Sequence, residues 1–464
     1  MIALTAAEIA AITQGRLGQG TDPQLVVKGI ARIDSRDLSP GDLFVAFEGE
    51  TLDGHDFVDQ AMSNGSVLSL VTRPVNGPHV VVSNTLDAVS ALARHNANAL
   101  TSTCTIIGLT GSSGKTSTKD LLASVLETAG ETVAPPGSFN NELGLPLTVL
   151  RANLNTKFLV LEMGSRGVGH LAMLCSIAQP HVGIVLNVGA AHLGEFGDLE
   201  TTARAKSEVI ATLPADGIAV LNSDDERVRA MEALTKARCV YFGDSDDALV
   251  SAENVIVGTN GFAQFDLHIS GLASERVSLK VAGRHQVSNA LAVTAAAISM
   301  GVNPHAVAEA LSQAGPRSPW RMQVEQAVND VTVINDAYNA NPESMSAALV
   351  AARDIAGDGR LGVIVGEMLE LGDQSNQSHV DLGTAVANAT PAWLIAVGSL
   401  SEHIERGAVS AGLSPEVMSR VGSAPLAIRK ALELVQPGDV VLIKASRGIG
   451  LEVVAQALVG GDKA

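Results

Sequence analysis

From residue 105 onward, short apolar runs alternate with longer amphipathic stretches. The runs at 105–109, 158–161, 182–186, 218–221 and 239–242 are rich in Val, Ile and Leu and end at turn residues. That pattern predicts strands buried on both faces. Helical stretches between several of them predict a parallel sheet with helices on either side. Residues 250–280 alternate with period two and carry turn signals, which predicts an antiparallel patch. Helices over 286–300 and 304–314 follow, and then Gly315-Pro316-Arg317-Ser318-Pro319 breaks the pattern. Beyond it, strands at 331–335, 361–365, 393–397 and 440–443 alternate with helices and predict a second doubly wound unit. Ahead of residue 85, a helix over 5–13 and short strands such as 43–47 read as a small α/β unit. A helix over 86–100 leads into the centre of the chain. The expectation is an α/β protein of three domains. These are a small N-terminal α/β domain (1–84), a central parallel-sheet domain (85–315) and a C-terminal Rossmann-like domain (316–464).

Composition narrows the choice of partners. The 464 residues are 46% hydrophobic but only 3% aromatic, so the bulk is Ala, Val, Leu and Ile, as suits an aliphatic α/β core. Net charge is −18 with no basic run, which argues against nucleic acid and anionic membrane surfaces. The longest apolar stretch, 290–300, is about half a membrane span. Residues 1–15 carry Glu8 and no basic n-region, unlike a secretory signal. Cys104, Cys175 and Cys239 share no short spacing that suggests a disulfide or zinc site. They read as small core residues in a reducing compartment, so a cytoplasmic location is expected, and so is a monomer.

The most specific local signal lies at 106–117. An apolar strand enters the turn Gly111-Ser112-Ser113-Gly114, and a helix begins near Lys115-Thr116-Ser117. Glycine lets successive backbone N–H groups face phosphate oxygens, and the helix N-terminus adds partial positive charge. Lys115 would reach the β/γ-phosphates of ATP and Thr116 would hold Mg²⁺ through its hydroxyl. Leu109 stands where the general motif has its first Gly. Such a loop does not choose between a switch, a kinase and a ligase.

Other blocks, in order, do choose. The loop resembles the phosphate loop of the Mur ligases, a superfamily that includes folylpolyglutamate synthetase. Glu162-Met163-Gly164, Asn187-Val188-Gly189-Ala190-Ala191-His192-Leu193, Ala205-Lys206-Ser207-Glu208 and Gly283-Arg284-His285-Gln286-Val287-Ser288-Asn289 are similar to its later blocks. Asn335-Asp336-Ala337-Tyr338-Asn339-Ala340-Asn341-Pro342, Gly366-Glu367-Met368-Leu369-Glu370-Leu371-Gly372 and Lys444-Ala445-Ser446-Arg447-Gly448 resemble the branch that joins D-alanyl-D-alanine to UDP-N-acetylmuramoyl-tripeptide. Asp34-Ser35-Arg36 and Asp53-Gly54-His55 resemble its UDP-sugar-binding domain. Ser112 departs from the family's usual Thr, and Gly450 stands where a basic residue is expected.

The resemblance implies an ATP- and Mg²⁺-dependent ligase working through an acyl phosphate. It implies one Mg²⁺ near Thr116 and Glu162 and another near His192 and a carbamylated Lys206. Asn289 is expected at the adenine, Arg321 at the γ-phosphate and Asp336 at the ribose, with Lys115, His192, Lys206 and Arg321 carrying catalysis. Ser35, Arg36, Gly49, Asp53, His55, Asn140 and Asn141 would hold the UDP-sugar-peptide. Tyr338, Asn339, Lys444, Ser446 and Arg447 would hold the dipeptide. Taken singly, Glu162 also reads as a solvated strand-end carboxylate and His192 equally as a core histidine, and a plain surface lysine is the default reading of Lys206. The rivals are another amino-acid-adding Mur ligase, a folylpolyglutamate synthetase, and a phosphate-loop switch or scaffold.

Overall fold

The computed structural model describes residues 1–49, 52–189, 197–327 and 329–460. Its central sheet runs Glu275–Ala282, Phe262–Ile269, Val250–Val257, Arg238–Phe242, Ile218–Asn222, Val182–Val185, Thr105–Thr110, Phe158–Glu162, Thr132–Val133. Neighbours are parallel from Thr132–Val133 through Val250–Val257, and the last two pairings are antiparallel. The strand Thr105–Thr110 has Phe158–Glu162 on one side and Val182–Val185 on the other. The chain therefore leaves it in two directions, and a crevice opens at its carboxyl end. Register pairs Glu162 with Leu109 and Val185 with Thr110, which sets the ends of all three strands level with the phosphate loop.

The helix Lys115–Glu127 buries Leu121, Leu122, Val125 and Leu126 against the alanine-rich helix Gln286–Ser299. Small side chains on the second helix allow the close approach. The C-terminal sheet runs Gln323–Gln326, Thr332–Asn335, Val440–Lys444, Leu361–Val365, Trp393–Val397, Met418–Val421, parallel except for its first strand. The N-terminal sheet runs Arg16–Leu17, His79–Val81, Ser66–Val71, Asp42–Val45, Ala31–Arg32. The first helix is Ala6–Ile12, opened by a capping box in which Thr5 and Glu8 satisfy each other's backbone N–H groups.

The strand Ser66–Val71 was not foreseen. Serines at 66 and 69 interrupt its apolar run, but both are buried, and Ser66 Oγ donates to Leu68 O at 2.8 Å. Met418–Val421 is a half-exposed edge with no clear alternation.

Two junctions position the site. Asn96 lies between the N-terminal and central parts: its side chain accepts from Ile2 N at 2.9 Å and donates to Val149 O at 2.9 Å and Ala152 O at 3.0 Å. Around it, Leu43, Leu68, Leu92, Leu145 and Leu174 share one core. At the other junction the linker lies along the phosphate-loop helix. Arg317 makes a two-point pair with Glu127 at 2.7 and 2.5 Å, and Lys119 Nζ donates to Ser318 Oγ at 3.4 Å. Among the described residues, no helix is long and apolar enough to cross a membrane.

Candidate active site

The phosphate loop is held from the neighbouring strand end. Ser113 N donates to Asn187 Oδ1 at 2.9 Å, Gly189 N to Ser112 Oγ at 2.8 Å, and Ser112 Oγ to Gly189 O at 3.1 Å. Gly114 has φ +79°, and a Cβ there would come within 2.6 Å of Asn289 Oδ1, so only glycine fits. Lys115 folds back on the loop, its Nζ donating to Gly111 O at 2.7 Å. Burial pulls its pKa below the usual lysine range; the Glu162 charge opposes that and Arg321 adds to it.

Beside the loop lie two buried groups with open valence. Glu162 Oε1 accepts from Ser138 Oγ at 2.5 Å and Asn140 Nδ2 at 2.8 Å, while its buried Oε2 has no partner. Lys206 is 3% exposed and has no hydrogen-bond or ion-pair partner among the described residues. Burial, then the Lys115 charge, pushes its pKa well below the ordinary lysine value. Glu208, in the same sequence block, turns away to accept from Gly169 N and from Ala172 N at 2.9 Å, capping the helix His170–Ile177. His192 lies outside the described residues.

A divalent cation fits what is present. An unsatisfied buried carboxylate oxygen on Glu162 is the hard donor Mg²⁺ takes, and the Thr116 hydroxyl lines the same cleft.

The opposite wall comes from the third domain. Arg321 Nη2 donates to Thr116 Oγ1 at 3.0 Å across 205 residues, and its guanidinium lies 4.2 Å from the Tyr338 ring centre. Asp336 accepts from Met322 N at 3.0 Å and from Lys444 Nζ at 2.6 Å, and Lys444 Nζ also donates to Asn339 O at 2.8 Å. Burial depresses the Lys444 pKa, and Asp336 partly restores it. Asn341 caps the helix Pro342–Ala356 through a reciprocal bond pair with Ser344.

These walls enclose a cleft of about 460 Å³ that collects Ser112 to Ser117, Asn140, Asn141, Glu162, Lys206, Asn289, Arg321, Asp336, Tyr338, Asn339 and Lys444. Gly111 stands behind it as the acceptor for Lys115. Asn141 Oδ1 accepts from Gly144 N at 2.9 Å, at the start of the helix Gly144–Val149. Ser446 and Arg447 stand outside the lining. Ser446 Oγ accepts from Leu369 N at 2.9 Å, and Arg447 pairs with Glu452 at 2.5 Å.

The N-terminal group is likewise apart. Ser35 Oγ donates to Gln60 Oε1 at 2.8 Å, Arg36 pairs with Asp34 at 2.7 Å, and Gly49 N donates to Leu52 O at 2.9 Å. Buried His55 is clamped between Asp53 Oδ1 at 2.6 Å and Thr72 N at 2.9 Å.

Sequence reasoning assigned no role to Ser138, Asn187, His285 or Trp320. Asn187 had a visible signal, since it ends the strand next to the phosphate-loop strand. Ser138 and Trp320 had none.

A phosphate loop at a topological switch point, faced by a third-domain arginine, defines a nucleotide-dependent enzyme of three α/β domains. Family models match along the chain: Mur ligase family, catalytic domain, over 29–101; Mur ligase middle domain over 109–297; and Mur ligase, glutamate ligase domain, over 320–447. The chain belongs to the Mur ligase family. It is 42% identical over 505 residues to UDP-N-acetylmuramoyl-tripeptide–D-alanyl-D-alanine ligase of Mycobacterium tuberculosis, covering 100% of this chain and 99% of that one. The crystal structure of MurF from Acinetobacter baumannii superposes with a TM-score of 0.86 at 31% identity over 99% of each chain. MurF from Thermotoga maritima, solved in complex with ADP, gives a TM-score of 0.77 at 28% identity over 93% of this chain and 97% of that one.

Proposed function

We propose that this chain is an ATP-dependent ligase that joins D-alanyl-D-alanine to UDP-N-acetylmuramoyl-tripeptide. The products are the pentapeptide precursor of peptidoglycan, ADP and phosphate. The observation that carries the reading is the convergence of Lys115, the open oxygen of Glu162, buried Lys206 and Arg321 on one cleft.

The tripeptide carboxylate attacks the γ-phosphorus of ATP; a C–O–P linkage forms, the β–γ bridge breaks and ADP leaves. The dipeptide amine then attacks the acyl carbon, phosphate departs and the nitrogen loses a proton. The first step brings anion to anion, so catalysis rests on cations and positioning. Lys115 and Arg321 supply fixed positive charge at the phosphates, Asn289 faces the adenine and Asp336 the ribose.

Thr116 and Glu162 would hold one magnesium ion, and His192 with a carbamylated Lys206 a second. Magnesium, when bound, supplies charge neutralisation at the phosphate oxygens. The depressed pKa of Lys206 supports carbamylation, because only a neutral amine adds to carbon dioxide. The new N–C bond releases a proton and leaves an anionic oxygen ligand.

Residues 1–84 hold the UDP-sugar through Ser35, Arg36, Gly49, Asp53 and His55, with Asn140 and Asn141 toward the peptide. Residues 85–315 bind ATP. Residues 316–464 present the dipeptide through Tyr338 and Asn339, with Lys444 fixing the Asn339 loop and Ser446 and Arg447 standing behind the cleft wall rather than on it. The enzyme works as a monomer in the cytoplasm. Product analysis tests the reading: ADP should form only when both organic substrates are present, and mass spectrometry should show the pentapeptide. ADP formation that needs neither substrate would instead mark a phosphate-loop switch.

A further inference from the structure

Between the linker and the third domain, two residues other than glycine occupy left-handed backbone space: Trp320 at φ +59° and Met322 at φ +48°. A bulky residue there is strained, and such strain persists only where surroundings over-determine it. The segment is pinned at three points. Trp320 N donates to Gln323 Oε1 at 3.1 Å, Tyr338 N to Trp320 O at 3.3 Å, and Met322 N to Asp336 Oδ1 at 3.0 Å. Pinning places the Trp320 ring in a column. The Arg447 guanidinium lies 4.2 Å from the Trp320 ring, the Trp320 and Tyr338 rings stack with centroids 6.5 Å apart at 30°, and Arg321 lies 4.2 Å from Tyr338. These separations suit aromatic and cation–π attraction. Trp320 does not line the cleft, and the half-buried Arg321 leaves its Nε without a partner.

We propose that Trp320 is a positioning residue for Arg321: with Tyr338 it fills a column, capped by Arg447, that holds the Arg321 guanidinium where the γ-phosphate of ATP arrives. The proposal rests on the nucleotide reading given above. Arg321 alone would swing on a flexible stem, and a planar stack restricts it to one plane over the Thr116 hydroxyl. A link from Arg447 to Arg321 also ties the loop after the strand Val440–Lys444 to the phosphate loop of the central domain.

Trp320→Gly removes the ring without adding backbone strain, because glycine adopts φ +59° freely, and circular dichroism checks the fold. Binding of a non-hydrolysable ATP analogue and of ADP is measured by titration calorimetry on the full chain. The variant should bind the analogue about fivefold more weakly and keep its ADP affinity, since only the γ-phosphate meets Arg321. Tyr338→Leu should do the same, and Tyr338→Phe, which keeps the ring, should retain analogue affinity. An analogue-to-ADP ratio within about twofold of wild type in Trp320→Gly, or equal loss of both nucleotides, would overturn the proposal. Equal losses in Tyr338→Phe and Tyr338→Leu would overturn it too. A wild-type chain that binds neither nucleotide would sink the nucleotide reading and the column's role with it.

Discussion

On the central-domain wall of the cleft, Glu162 keeps a buried oxygen without a partner and Lys206 lies buried with none among the described residues. On the third-domain wall, Asp336, Lys444, Asn339 and Asn341 direct polar atoms at one another or at their own backbone. Burying a charge without a partner destabilises a fold, so the first wall carries a cost that a bound cation would offset. Asp336, Lys444 and Asn341 need no ligand to be satisfied, which suits them to hold a shape, while Arg321 on the same wall keeps its Nε without a partner.

The largest effect should separate the walls by the sign of a stability change. Lys444→Met leaves the buried Asp336 charge without its ion-pair partner and should cost about 3–5 kcal/mol in urea unfolding. Lys206→Met, with metal and carbon dioxide excluded, should instead raise the melting temperature, because it removes a cation that burial penalises. Between the depressed Lys206 pKa and the ordinary lysine value, the unfolded chain binds a proton that the fold has shed. Wild-type stability should therefore rise with pH across that window, and Lys206→Met should flatten the rise. Equal destabilisation by both variants would erase the comparison.

Next in size, Lys115→Ala should lower turnover about a hundredfold or more while the circular dichroism spectrum stays unchanged. Turnover within about threefold of wild type would remove Lys115 from the phosphate role.

Lys206→Ala should lose about ten- to a hundredfold in activity, and short carboxylic acids should restore part of it by supplying an anion in the space left. A variant with full activity and no response to acids leaves Lys206 outside the chemistry.

The smallest change expected is on the shape-holding wall. Asn339→Ala should raise the KM for D-alanyl-D-alanine about three- to tenfold and leave that for ATP unchanged. Arg447→Ala, at the far end of the aromatic column, should raise both. A selective rise for the UDP-substrate would mean that the third domain serves a different ligand.

What was legible in the sequence follows how local each feature is. The phosphate loop is contiguous, so a strand over 105–109, the turn and a helix beginning near Thr116 could be read off the sequence, and the structure has Thr105–Thr110 and Lys115–Glu127 there. The long apolar strands were equally plain, and Leu361–Val365 and Trp393–Val397 have the expected bounds. Short edges such as Arg16–Leu17 and Thr132–Val133 are too brief for any period to show.

In the site, Arg321 and Thr116 stand 205 residues apart and Lys444 and Asp336 stand 108 apart. Spacing gives no hint of either meeting, and the Arg321 assignment came through family resemblance alone. That Lys444 would be occupied by Asp336 was invisible, because a buried pair and a free cation are spelled the same way. The positive φ of Trp320 has no sequence signature, since tryptophan is a poor choice for it. His192, a metal ligand by resemblance, falls outside the described residues.

The core shared around Asn96 bears on how the chain comes apart when heated. Leu43, Leu68 and Leu70 of the N-terminal sheet belong to the same apolar cluster as Leu145, Leu161 and Leu174 of the central part. Among the described residues, the clusters of the third domain, by contrast, include only Ala282 and Phe262 from before the linker. A scanning calorimeter should therefore register two endotherms rather than three. The N-terminal unit should melt with the central one as a single cooperative block, because neither retains its larger core without the other. Asn96→Leu, which leaves Ile2 N, Val149 O and Ala152 O without that side chain, should move the first two-thirds of the chain to a lower melting temperature and leave the last third where it was.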